Sequence, residues 1–396
     1  MQLTNRQLFL QNLAIPAELP DAIEIEKAEG IYLYADDGKK YIDLVSGVSV
    51  SNIGHRHPKV VEAIKNQTDK YLHLMVYGKY IQSPQVKLAG LLSSVLPKNL
   101  DSVYLVNSGS EAIEGAMKLA KRINGRKEII AFKNSYHGST QGALSILGNE
   151  EMKSAYRPLL PDIKFLEYNN IDDLGAISNK TACVVVEAIQ AEAGIIIPDK
   201  DFIEKLDKIC HEKEVVVILD EVQMGFGRTG KMFGFENFNI KPDIVCLAKG
   251  MGGGMPIGAF VSSKENMNLL THSPALGHIT TFGGHPVSSA AALASLKLII
   301  DDGLSLKANG KGKAIAENLI KHSKIKEIRQ IGLMLGIELN EEYSAAKMVK
   351  ILQKHGLIVD QFLFNDSSFR IAPPLTITEE EIEEVLEKVI VCLDEI

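Results

Sequence analysis

The sequence has only four cysteines in 396 residues, and none of Cys183, Cys210, Cys246 and Cys392 belongs to a CxxC pair. All four lie in apolar strand or helix patterns. Buried free thiols in a reducing cytoplasm are therefore expected, not a disulfide framework. Positive charge is not in excess: 43 Lys and Arg stand against 50 Asp and Glu, a net charge of −7, with the basic residues scattered among acids. Nucleic acid and anionic membranes are poor partners for such a surface. No run approaches the roughly 18 apolar residues of a membrane span. The start, MQLTNRQLFLQNLAIPAELPDAIEIE, lacks the basic-then-apolar order of a secretory signal. Ten histidines include no HExxH, and His55 and His57 of "GHRHP" have no acidic or thiol partners nearby, so no metal site is expected. Internal repeats and low-complexity linkers are missing too.

What is present is ordinary globular composition, 45% hydrophobic and 23% charged, at a length that suggests two or three domains. "IYLYADDGKKYIDLVSG" reads as two strands around an Asp37–Gly38 turn. From about residue 55 helices and strands alternate. "SVYLVN" reads as a short buried strand, and "EIIAFKN", "TACVVVEAI", "EVVVILDEV", "DIVCLAK" and "IGAFVSS" as further strands with helical stretches among them. Runs apolar on both faces, with helices between, predict a mainly parallel sheet covered on both sides. "VSSAAALASLKLII" is a long helix. After it the texture changes to charged helices and alternating strands, a smaller α+β domain ending in a helix capped by Thr378 and Glu381.

Two nucleotide motifs fail on inspection. "GFGRTG" (225–230) matches GxGxxG, and with Lys231 it matches GxxxxGK. A P-loop needs Ser or Thr where Met232 stands. A dinucleotide turn needs to follow its strand directly and open a helix, yet five residues, Asp220 to Met224, intervene. A flexible glycine loop is the expectation.

A different constellation forms at strand ends. Asp220 ends one strand and Lys249 another, and parallel strands place both on one rim, where α/β sheets bind ligands. Alone, the two amount to a rim salt bridge. "VYLVNSGSEAIEG" adds a strand, a Ser108-Gly109-Ser110 turn and a helix start whose free N–H groups suit a phosphate. Tyr136 of "SYHGST" adds an aromatic ring at a further strand end. Pyridoxal phosphate needs these four parts together: an amine, an acid facing its ring nitrogen, a phosphate cup and a flat cover. An ion pair at about 4 Å is worth roughly 4 kcal/mol at an effective dielectric of 20, about three pKa units, enough to keep a pyridine nitrogen protonated.

On these residues, and on "ILDEVQMGFGRTGKMFGFENFNIKPDIVCLAKGMGGGMPIGAF" above all, the chain resembles class III pyridoxal-phosphate aminotransferases, from "DLVSGVSVSNIGHRHPKVVEAI" to "FRIAPPL". The resemblance implies a fold-type-I enzyme with a seven-stranded-type sheet between helices. Residues 1–54 would be an N-terminal segment packing with the small domain, 55–286 the large cofactor domain, 287–301 a connecting helix and 302–396 the small α+β domain. It implies that Lys249 joins the cofactor, Asp220 pairs with its ring nitrogen, Gln223 bonds its hydroxyl and Tyr136 covers its ring. Ser108, Gly109 and Ser110 would hold the phosphate, with His137 and Glu187 also against the cofactor. Thr281 would reach the cofactor of a neighbouring subunit, hence a homodimer. Glu192 resembles the family's switch glutamate, and Arg370 the arginine that grips a substrate carboxylate in place of a surface ion pair. Departures are Ala188 and Ala191 in the EPxQGE segment, His285 for the Asn of GGNP, and Ser139 for the arginine of HGRT. The implied activity moves an amino group from an N-acetylornithine- or ornithine-type donor to 2-oxoglutarate or another 2-oxo acid. The alternatives are a 4-aminobutyrate or diamine aminotransferase, an aminomutase, a racemase or a decarboxylase.

Overall fold

In the computed structural model, which describes residues 3–17, 20–76 and 78–396, a seven-stranded sheet is built around the most apolar strands. Its order is Ser102–Val106, Gly258–Ser262, Ile244–Leu247, Val216–Asp220, Thr181–Glu187, Glu128–Phe132, Ile163–Leu166. Gly258–Ser262 alone runs antiparallel, against both neighbours. The other strands therefore end on the same rim. Period-two alternation splits the strand residues between two cores. Cys183, Val185 and Ile218 face Ile113 and Met117 of helix Gly109–Asn124, while Val184, Val186 and Leu219 face the larger core that holds Leu296 and Ile299 of helix Pro286–Asp301. "SVYLV" differs from the expected buried strand. It is the sheet edge, and four of its five residues are only partly buried because nothing pairs with its outer side among the described residues.

A four-stranded antiparallel sheet follows helix Pro286–Asp301 along the chain, ordered Ile325–Ile331, Met334–Leu339, Asn365–Ile371, Asp360–Phe362. Helices Leu304–Leu319, Ala345–Lys354 and Glu379–Glu395 accompany it, the last with the capping box expected at Thr378 and Glu381. Near the N-terminus, Tyr32–Ala35 and Lys40–Asp43 form the hairpin read from the sequence, with Gly38 supplying φ +84°. Lys40–Asp43 also pairs in parallel with Leu357–Ile358, joining the two ends of the chain in one sheet. All four cysteines are buried and free. Among the described residues no helix is long and apolar enough to cross a membrane, and no group of three potential metal ligands occurs.

Two expectations need correction. His55 does have an acidic partner: its Nε2 lies 2.8 Å from Asp43 Oδ2, while Asp43 Oδ1 accepts the N–H groups of Val45 and Ser46. The strand register that aligns Gly30 with His55 brings in this residue from 12 positions away. The loop 225–230 is not a flexible glycine loop but part of the interior. Arg228 and Thr229 are fully buried; Arg228 donates from Nη1 to the carbonyls of Leu333 (3.0 Å) and Pro373 (2.5 Å) and from Nη2 to Asn52 Oδ1 (2.6 Å). Its glycines serve close approach, since a Cβ on Gly227 would stand 2.7 Å from Leu375 Cδ1 at φ +91°. No helix opens on the motif; a four-residue 3₁₀ turn, Gly234–Asn237, comes next.

Burial pulls the Arg228 pKa down to about 9, so the group still carries its charge at neutral pH. Arg228→Ala would orphan three buried acceptors and open a cavity where the loop meets Leu333 in the turn between Ile325–Ile331 and Met334–Leu339, Pro373, and Asn52 of the N-terminal segment. We expect a loss of about 3–5 kcal/mol in urea unfolding; a loss below about 1 kcal/mol would mean that water replaces the guanidinium without penalty.

Candidate active site

Because the strands are parallel, their carboxyl ends deliver side chains to a single cavity of about 460 Å³. Ser108, Gly109, Ser110, Tyr136, His137, Glu187, Asp220, Gln223 and Lys249, all singled out from the sequence, line it. Thr281, Glu192 and Arg370 do not. Glu192 and Arg370 stand behind Gln223, and Thr281 sits in an exposed segment beyond the rim.

Asp220 closes its strand with its side chain constrained on both oxygens. Oδ1 accepts the Val222 N–H at 3.0 Å, and Oδ2 lies 2.7 Å from His137 Nδ1. The imidazole is buried, and its Nε2 has no hydrogen-bond partner. Glu187 is the direct cross-strand neighbour of Asp220. Burial, reinforced by the Asp220 charge, pushes its carboxyl well above the usual range, although it accepts N–H groups from Ala191 and Tyr136. Two adjacent carboxyls cannot both ionise cheaply in a dry site, so burial and the Asp220 charge together disfavour the ionised form of Glu187.

Lys249 lies two residues past the end of strand Ile244–Leu247. Its backbone is left-handed, φ +47°, a conformation that costs an L-residue roughly 1–2 kcal/mol and tends to accumulate at functional sites. Burial lowers its amine pKa, with Arg370 adding to the shift and Glu192 and Asp220 opposing it. Among the described residues the amine makes no hydrogen bond or ion pair.

The turn before helix Gly109–Asn124 is braced from behind. Asn107 donates to the Glu111 carboxylate and, at 2.8 Å, to Thr280 Oγ1, and Ser108 Oγ caps the helix by accepting the Glu111 N–H. The N–H groups of Gly109 and Ser110 have no acceptor within the helix and face the cavity end. Gly138 (φ +125°) packs directly against the turn, where a Cβ would stand 2.0 Å from Ser110 Oγ. Tyr136 rests beside it, its hydroxyl 3.2 Å from Ser139 Oγ.

Behind the cavity Gln223 links the remaining pair. Its Nε2 donates to Glu192 Oε1 (2.9 Å), and its Oε1 accepts from Arg370 Nη1 (2.7 Å). Arg370 Nη2 donates to Glu192 Oε2 at 2.9 Å. Arg370 is 1% exposed, which rules out a surface ion pair. Val50, Asn107, Gly138, Val222 and the wall Met255-Pro256-Ile257 were not picked out from the sequence. Val222 had a signal, two residues beyond a strand-end acid. Val50 had none: it follows Ser46–Ser49, four residues at φ between +55° and +61°, a left-handed turn with β-branched Val48 inside it that no propensity predicts.

The family model "Aminotransferase class-III" matches residues 16–393. An acetylornithine aminotransferase of Methanocaldococcus jannaschii is 40% identical over 386 residues, covering 95% of this chain and 94% of the relative. A transaminase from the marine bacterium Virgibacillus superposes with a TM-score of 0.92 at 27% identity, over 98% of this chain and 97% of that one. An ornithine aminotransferase from Toxoplasma gondii, with partial occupancy of PLP at its active site, superposes with a TM-score of 0.89 at 26% identity, covering 98% and 94%.

Proposed function

The chain belongs to the class-III aminotransferases, enzymes that depend on pyridoxal phosphate, and on that premise we propose that it moves an amino group from an N-acetylornithine-type ω-amine to 2-oxoglutarate. One observation carries the reading: an unpartnered, half-buried amine, Lys249, shares a cavity with Asp220 and with a helix start packed against Gly138. These residues suit the cofactor. The Gly109 and Ser110 N–H groups and the Ser110 hydroxyl fit a phosphate. Asp220, steadied by Val222 and His137, suits a protonated ring nitrogen, and Tyr136 offers a flat cover.

When bound, pyridoxal phosphate supplies an aldehyde that joins an amine and a ring that draws electrons from the adjoining carbon. The protein's own part is to position groups and move protons. Lys249 Nζ, its pKa lowered by burial, would accept a proton from the substrate carbon and give it back two bonds away, across the nitrogen. Asp220 would stand opposite the ring nitrogen and favour its protonated form. Arg370 receives a substrate carboxylate in bidentate fashion once Glu192 gives way, and Gln223, held by both, registers the change from the cavity side.

A homodimer fits the surface. A groove lined by Tyr80, Val86, Leu276 and Ile279 leaves these apolar side chains exposed beside the segment that carries Thr281. Thr281 would then serve the cofactor of the second copy.

A second reading for the donor has its own observation. Among the described residues, Lys249 is the only Lys or Arg on the cavity wall, and Ser139 is tied to Tyr136. A donor with an uncharged or cationic tail, such as a diamine, suits that wall as well. The test is the visible absorption of the cofactor-loaded enzyme. L-Glutamate should bleach it and 2-oxoglutarate restore it; N-acetylornithine and a diamine are then compared as donors. A spectrum indifferent to glutamate would overturn the glutamate/2-oxoglutarate assignment.

A further inference from the structure

Arg370 carries one positive charge but faces two carboxylates. Glu192 meets Nη2 in a well-formed hydrogen bond. On the other side Asp360 Oδ1 lies 3.3 Å from Nε, close enough for an ion pair, yet the N–H is not aimed at it, and both atoms are buried without a hydrogen-bond partner. The attraction there is Coulombic. Sheet register sets this contact: Asp360 and Arg370 are direct cross-strand partners on Asp360–Phe362 and Asn365–Ile371. The ring of Phe362 lies 4.8 Å from the guanidinium carbon, holding its plane.

We infer that Asp360 is a positioning residue that limits how tightly Arg370 grips a substrate carboxylate. The inference rests on the reading of Arg370 as the group that receives that carboxylate. Glu192 can leave when a substrate anion arrives, because its carboxylate sits on the Nη side that the anion needs. Asp360 cannot be displaced in the same way. Its strand fixes it behind Nε, where it anchors the guanidinium and keeps a negative charge near the incoming anion. Release of product, which needs Arg370 to let go, gains from the same charge.

The charges around Asp360 fit this role. Burial raises its carboxyl pKa to about 6, Arg370 opposes the shift, and Glu192 and Asp43 add to it. Asp43 is itself paired with His55, and the Arg228 charge is felt by both Asp43 and Arg370. A bound anion pushes the Asp360 pKa further up. Affinity for the anion is therefore constant above the raised, bound-state value, rises as pH falls from that value towards the free-state value of about 6, and levels off below it.

The test uses enzyme loaded with pyridoxal phosphate, to which 2-oxoglutarate binds without reacting. Its carboxyls stay ionised between about pH 5.5 and 8. Asp360→Asn should lower the dissociation constant at pH 8 by about five- to tenfold. The variant should also show a flatter rise in affinity towards about pH 5.5 than the wild type, a difference that a purely structural role would not produce. Asp360→Ser stands in should the asparagine variant fold poorly. An unchanged constant with the wild-type pH slope would overturn the inference. Arg370→Gln separates the two readings. If it weakens 2-oxoglutarate binding while Asp360→Asn changes nothing, only the role of Asp360 fails. If Arg370→Gln binds as the wild type does, the reading of Arg370 fails, and the inference with it.

Discussion

Lys249→Ala is expected to lower kcat by at least about 10⁴-fold, because the substrate proton then has no acceptor placed on the correct face. Folding should survive. The amine makes no hydrogen bond whose loss would leave a partner orphaned, and its removal lifts the desolvation that lowers its pKa. Alanine inherits the φ of +47° at a similar backbone cost, so the variant neither gains nor loses much from strain. The phosphate cup at Ser108–Ser110 is untouched, so the cofactor should still bind, though without its bond to the protein. Added methylamine should restore part of the activity by acting as a free proton carrier. Multiple-turnover rates within tenfold of the wild type would remove Lys249 from the chemistry.

Asp220→Asn should cost about 10³-fold in kcat with the cofactor retained. The estimate follows from the roughly three pKa units by which an ion pair at about 4 Å favours a protonated ring nitrogen. Asparagine keeps the size and can still accept the Val222 N–H, but its Nδ2 then faces His137 Nδ1, so the loss reports on the charge together with that contact. The neighbouring Glu187 cannot substitute. It lies beside Asp220 across the strand pair, but burial pushes its carboxyl pKa well up and disfavours its charge, and Glu187→Gln should therefore have a much smaller effect on kcat. Steady-state rates for the two variants settle the matter: equal losses would mean that the charge is shared between them, and no loss at Asp220 would mean that the ring nitrogen needs no acid.

How far the site was legible depended on how local each signal was. Asp220 and Lys249 could be placed on one rim because each follows directly on an apolar strand, and parallel strands share a direction. The Ser108-Gly109-Ser110 turn was readable because a strand, a small-residue turn and a helix follow one another directly. Gln223, Glu192 and Arg370 came only through family resemblance. No spacing connects positions 192, 223 and 370, and the hydrogen bonds that join them bridge up to 178 positions of the chain. The loop 225–230 was misread for a related reason. Glycines signal a permissive backbone, but whether that serves mobility or close packing depends on what arrives opposite, here Leu375, Leu333 and Pro373.

By itself the sequence determined the alternation of helices and strands, the two textures of the chain, the strand-end acid and amine, and the helix start suited to a phosphate. Each follows from residue periodicity or from a turn a few residues long. Tertiary structure alone decided that Gly258–Ser262 runs against its neighbours, that Ser102–Val106 is an edge, that Asp43 receives His55, and that Asp360 faces Arg370. Strand order and register set those contacts, and register is chosen by the packing of whole faces, where a shift of one residue would turn every side chain to the other side.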